Sequence, residues 1–188
     1  MKRLAVFASG NGSNALNFFS YFNNHKKIGF DRIYCNNPQA GIIQKALDVG
    51  IDCRLFNREE WLNGKISAEL KERNTDFIVL AGFLWLVPVD LVNEFPNRII
   101  NIHPALLPLY GGKGMYGMNV HQQVVANGEM ETGITIHLVN EEYDKGKLLF
   151  QKRFEIEPID TAESVAQKIH HLEYKYFPSV VEKYILNS

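Results

Sequence analysis

The sequence predicts an α/β fold: a doubly wound, mostly parallel twisted sheet with helices on both faces and an antiparallel C-terminal extension. Three observations predict it. Short apolar runs of strand length alternate with helical patterns along the 188 residues. Runs such as "RLAVFAS" and "DFIVLAG" are almost wholly apolar, as strands covered on both faces must be. The polar, chemistry-bearing motifs fall at the carboxyl ends of such runs, where open α/β sheets bind ligands.

Arg3–Ser9 is the first strand, and Asn14 to about Asn23 a helix with Leu16, Phe18 and Phe19 for its buried side. Arg32–Cys35 is the second strand, ended by Asn36, Asn37 and Pro38. Ala40–Val49 is helical and stops at Gly50, a residue suited to a helix C-terminus. Asp52–Phe56 is the third strand, and Glu59 to about Arg73 is a helix broken near Gly64. Asp76–Gly82 is the most buried strand, and Pro88 starts a short helix at its first turn. Arg98–Pro104 is a strand with polar residues only at its end, and Val120–Ala126 is helical. Thr132–Val139 and Lys147–Ile156 alternate and flank a turn, so they pair as the antiparallel extension. Thr161 to about Leu186 is a long terminal helix, bent before Pro178.

The composition is that of one ordinary globular domain, with 46% hydrophobic and 22% charged residues and a net charge of -1. This balance gives no electrostatic case for nucleic acid or a membrane surface. The apolar run Leu4–Ala8 is too short for a signal peptide, and no run reaches membrane-span length. Two cysteines, Cys35 and Cys53, make neither a disulfide framework nor a metal cluster. No histidine pair has zinc spacing, so no metal is expected. The expectation is a cytoplasmic protein acting on small molecules, monomeric or homodimeric.

"GNGSN", Gly10–Asn14, joins the first strand to the first helix. Gly10 and Gly12 can take positive φ and turn backbone N–H groups toward an anion. Ser13 and Asn14 open the helix, where unpaired amides favour phosphate. Gly10, Gly12 and Ala15 match the loose dinucleotide fingerprint, but that fingerprint also needs an acidic residue ending the second strand. Here that strand ends Cys35-Asn36-Asn37, so a single phosphate fits better than a dinucleotide.

In "NIHPALLP", Asn101 and His103 are two apart at a strand end and share one face. An amide and an imidazole together can manage an oxyanion and a proton. The turn after the next strand offers Glu141, Glu142 and Asp144 as a carboxylate for the imidazole, and spacing does not choose among them. His137 sits within a strand and His121 opens a helix; neither carries a motif. His170 and Glu173 are helix neighbours.

"GNGSN", "VLAGF", "NIHPALLP" and "EEYDKGKLL", in this order over the whole chain, resemble the phosphoribosylglycinamide formyltransferase family. The resemblance implies an enzyme of purine biosynthesis. It would transfer the formyl group of 10-formyltetrahydrofolate, a co-substrate, to the amine of glycinamide ribonucleotide. It implies one domain, residues 1–188, with a nucleotide-binding half of about 1–100 and a folate and catalytic half of about 101–188. It implies Asn101, His103 and Asp144 as the catalytic trio, with Asp144 raising the pKa of His103. Gly12, Ser13 and Asn14 would hold the ribonucleotide phosphate, and Glu173, with His170 close by, its glycinamide end. Leu84, Trp85, Leu86 and Val87 would cradle the folate through their backbone, with Asn101 beside it and Arg58 near its tail.

The segment Gly111–Val120 is about five residues longer than the family pattern and would serve as a lid or be a tolerated insertion. The other readings are a non-catalytic nucleotide-binding module and a 10-formyltetrahydrofolate hydrolase-like member of the same superfamily.

Overall fold

The computed structural model describes all residues, 1–188. A seven-stranded sheet runs in the order β3-β2-β1-β4-β5-β6-β7. Strands β1 (Lys2–Ala8), β2 (Ile28–Cys35), β3 (Cys53–Leu55), β4 (Phe77–Leu80) and β5 (Ile99–His103) are parallel. Strands β6 (Glu131–Leu138) and β7 (Leu148–Glu155) are antiparallel to their neighbours and complete the sheet. The chain order reverses between β1 and β4, and the crevice beyond their carboxyl ends is where such sheets take ligands.

Helices α1 (Ser13–Phe22), α2 (Gly41–Asp48) and α7 (Ala162–Leu186) contribute to the larger core, on one face of the sheet. Helices α3 (Arg58–Leu62), α4 (Lys65–Glu72) and α5 (Val89–Glu94) contribute to the core on the other face. Helix α6 (Met118–Ala126) packs on α7. The α3–α4 break falls at Gly64, whose φ of 80° reverses the chain. Helix α7 begins with a capping box at Thr161 and Ser164 and continues through Pro178.

Three local features differ from the sequence expectation. Strand β2 starts at Ile28, because Ile28–Phe30 lie alongside Lys2–Leu4 in register although "IGFD" has no apolar pattern of its own. Pro88 caps α5 from outside the helix, with ψ of 142°. Of the two fingerprint glycines only Gly12 takes a positive φ, 72°.

An aromatic cluster stiffens the second core. Phe7 stacks on Tyr34 at 4.7 Å, Trp61 meets Phe83 edge-on at 5.2 Å, and Phe56 meets Trp85 at 5.9 Å. This cluster underlies the loop after β4. Within Leu84–Val87 two backbone groups are pinned: Ser9 Oγ accepts from the Leu84 N–H at 3.0 Å, and Trp61 Nε1 donates to the Leu86 carbonyl at 2.9 Å.

Candidate active site

A cavity of about 570 Å³ opens at the carboxyl ends of β4 and β5. Asn101 and His103 reach it from β5, His137 from β6, Asp144 from the following turn, and Asn14, His170 and Glu173 from α1 and α7. Leu84, Trp85, Leu86 and Val87 form its apolar side. Gly12, Ser13 and Arg58 are not among its lining residues. Arg58 stands at a separate shallow groove, its guanidinium 4.9 Å from the Trp85 ring centroid, and Trp85 lines both spaces.

The centre of the cavity is a compact polar network. Asp144 Oδ2 lies 3.5 Å from His103 Nδ1 and accepts from the Gly112 N–H at 2.9 Å. Asp144 Oδ1 lies 3.5 Å from His137 Nε2 and 3.4 Å from Asn101 Nδ2. The Asn101 amide also donates to His137 Nε2 at 3.1 Å, and His137 Nδ1 donates to the Leu138 carbonyl at 2.8 Å. The register explains this meeting, since Asn101 and His137 are direct partners across β5 and β6. His137 therefore belongs to the site. Nothing in its strand pattern signals that; only the pairing register does.

The other side of His103 is fixed by backbone. Its Nε2 lies 2.7 Å from the Tyr110 carbonyl, which can only accept, so Nε2 carries a proton in every charge state. The proton that titrates is on Nδ1, facing Asp144. Tyr110 and Asp144 both hold left-handed backbone, with φ of 55° and 56°. For a bulky residue such as Tyr110 this is costly, and such strain concentrates at functional sites.

Asp144 raises the His103 pKa, as expected, but it does not decide the net direction. Burial is the largest influence and lowers the His103 pKa below its ordinary 6.5; the Asp144 charge and the Tyr110 carbonyl only partly offset it. Asp144 itself is lowered, because its histidine partners and the Gly112 N–H outweigh its burial. Burial thus favours the neutral imidazole and the Asp144 carboxylate favours the imidazolium, with burial the larger of the two. His121 is likewise lowered by burial, and its Nδ1 has no hydrogen-bond partner.

The two lowered histidines give a stability prediction. Each binds a proton more readily unfolded than folded, so stability falls as pH drops below about 6.5. His170, raised by its hydrogen bond to Glu173, is more exposed than His103 and His121 and acts in the opposite sense. Urea midpoints should be lower at pH 5.5 than at pH 7.5. A His103→Gln, His121→Gln double variant should lose most of that difference, and retaining it in full would refute the assignment.

At the far end of the cavity, Asn14 Nδ2 donates to Glu173 Oε2 at 2.9 Å, and His170 Nδ1 lies 3.5 Å from the same oxygen. The Asn14 Oδ1 atom is buried without a partner. Asn14 is the second residue of α1, two after Gly12, so the glycine turn is tied to the cavity through this residue. No group of three or more His, Cys, Asp and Glu side chains is arranged to hold a metal ion. No helix is long and apolar enough to cross a membrane.

Comparison with known proteins agrees with this architecture. The formyl transferase family model matches residues 2–181. A chloroplastic phosphoribosylglycinamide formyltransferase of Arabidopsis thaliana is 41% identical over 96% of the chain, which spans 64% of that relative's length. The phosphoribosylglycinamide formyltransferase of Bacillus subtilis is 36% identical over 97% of this chain and 94% of its own. The crystal structure of phosphoribosylglycinamide formyltransferase from Bacillus halodurans superposes with a TM-score of 0.87 at 30% identity, covering 97% of this chain and 94% of that one. The match spans the glycine turn, the strand-end histidine and the Asp144 turn together, and the chain belongs to the formyl transferase family.

Proposed function

We propose that this chain transfers the formyl group of 10-formyltetrahydrofolate to the amine of glycinamide ribonucleotide, in purine biosynthesis. The observation that carries the proposal is Asn101, His103 and Asp144 meeting at the centre of one cavity. The same cavity has an apolar wall of Leu84–Val87 and takes Asn14, two residues after Gly12, from the start of α1. Family membership and the relatives' names support it.

The whole chain would act as one domain. The N–H groups of Gly12 and Ser13 make no hydrogen bond within the molecule, which suits them to a phosphate. Glu173, with His170 close by, would orient the amine end of the acceptor, and Asn14, bonded to Glu173, would join that end to the phosphate turn. Apart from the two pinned groups, the backbone of Leu84–Val87 is unpaired within the molecule. Free N–H and C=O groups beside an apolar wall suit a flat heterocycle with a hydrogen-bonding edge, such as the folate pterin. Arg58 and Trp85 would meet its anionic tail.

In the reaction the acceptor amine attacks the formyl carbon, and the carbonyl oxygen becomes an oxyanion. The bond from that carbon to the folate nitrogen then breaks. One proton leaves the amine and one arrives on the folate nitrogen, so the sum is balanced. Asn101 supplies a donor to the oxyanion by turning the N–H that now spans 3.4 Å to Asp144, the weaker of its two bonds. Neutral His103 takes up the proton on Nδ1. The resulting imidazolium is held between the Tyr110 carbonyl and the Asp144 carboxylate until it gives the proton up, directly or through water.

The decisive assay supplies 10-formyltetrahydrofolate at saturation, with and without glycinamide ribonucleotide. Formylated product only with the ribonucleotide is expected. Formate release regardless of acceptor would make the chain a hydrolase. Nucleotide binding with no turnover would make it a binding module.

A further inference from the structure

Lys45 on α2 has no carboxylate partner, and its ammonium folds back onto the glycine turn. Its Nζ donates to Asn11 Oδ1 at 2.6 Å and to the Asn11 carbonyl at 3.2 Å. One turn earlier on α2, the Ile42 N–H donates to the Gly10 carbonyl at 3.2 Å. Two successive carbonyls of the turn are therefore held by α2. In a planar trans peptide the N–H points opposite to the C=O. Holding the Gly10 and Asn11 carbonyls turns the Asn11 and Gly12 N–H groups to the other side, away from α2. Those two N–H groups make no hydrogen bond within the molecule, and successive free N–H groups of this kind form an anion-binding nest. The close seat is built in: a Cβ on Gly41 would stand 2.8 Å from Asn11 Oδ1, and one on Gly12 would overlap Ile42.

We infer that Lys45 is a positioning residue for the acceptor's phosphate: it acts through the Asn11 carbonyl, aiming the Gly12 N–H and adding positive charge behind it. The inference rests on the proposed role of the glycine turn in holding that phosphate. It requires no direct contact between Lys45 and the ligand.

The test compares wild type with Lys45→Met, Lys45→Gln and Lys45→Arg. In the Met and Gln variants KM for glycinamide ribonucleotide should rise about tenfold, the scale of one charge-assisted hydrogen bond. Their kcat and KM for 10-formyltetrahydrofolate should stay within about twofold, and Lys45→Arg should recover most of the loss. Unchanged KM for the ribonucleotide, an equal decline in all constants, or failure of both variants to fold would overturn the inference. Inorganic phosphate separates this outcome from failure of the proposed reaction. It should raise the Tm of wild type more than that of Lys45→Met at the same concentration, even in a chain that turns nothing over. An equal rise in both, or none in wild type, would also overturn it.

Discussion

Asp144→Asn should lower kcat about a thousandfold at pH 7 while KM for either substrate moves less than about threefold, the pattern of an interaction made mainly in the transition state. The side chain is 11% exposed and lies 3.5 Å from His103 Nδ1. Its charge is the largest influence opposing the burial of His103. Once His103 has accepted a proton, that charge is what balances a buried imidazolium. The amide introduced by the substitution keeps the volume, and its oxygen can still accept from the Gly112 N–H, so folding and substrate binding should survive. The sign of the pH effect follows. Without the carboxylate, the His103 pKa falls further, so the acid limb of the kcat/KM profile moves to lower pH. A variant with near-normal turnover, or a limb displaced to higher pH, would remove Asp144 from the mechanism.

The sequence makes some parts of this site legible and hides others, for physical reasons. Asn101 and His103 stand out because a strand buried on both faces has no ordinary use for polar side chains. Asp144 does not stand out among Glu141, Glu142 and Asp144. Its selection depends on a left-handed φ that turns its carboxylate inward, while Glu142, 61% exposed, pairs with Lys145 at the surface. His137 is hidden because its importance lies in facing Asn101 across two strands, a long-range register that local periodicity does not encode. The Tyr110 carbonyl is hidden more deeply, since any residue supplies a carbonyl. The lowered His103 pKa is illegible too: pairing with an acid is a local idea, whereas burial is a property of the finished fold.

Gly12→Ala should destabilise the fold by about 2–4 kcal/mol, the sum of left-handed backbone strain and local overpacking. Gly12 sits at φ 72°, and a Cβ there would overlap the Ile42 side chain. Relief requires either moving α2 or rotating the Gly12 peptide, and both disturb the N–H groups proposed to meet the phosphate. KM for the ribonucleotide should therefore rise at least about thirtyfold, more than loss of one charged hydrogen bond would give. Gly10→Ala is the matched control. Its backbone is not at positive φ, and nothing lies within 4 Å of the position its Cβ would take. It should cost no more than about 0.5 kcal/mol, as exposed sites without special geometry do. Thermal melts and KM values of the two variants decide the matter. Equal losses at Gly10 and Gly12 would mean that the turn needs glycine for flexibility alone. A loss confined to Gly12 ties the turn to one fixed conformation, packed on α2 with its N–H groups free, which is what a single-phosphate site requires and a loose dinucleotide fingerprint does not specify.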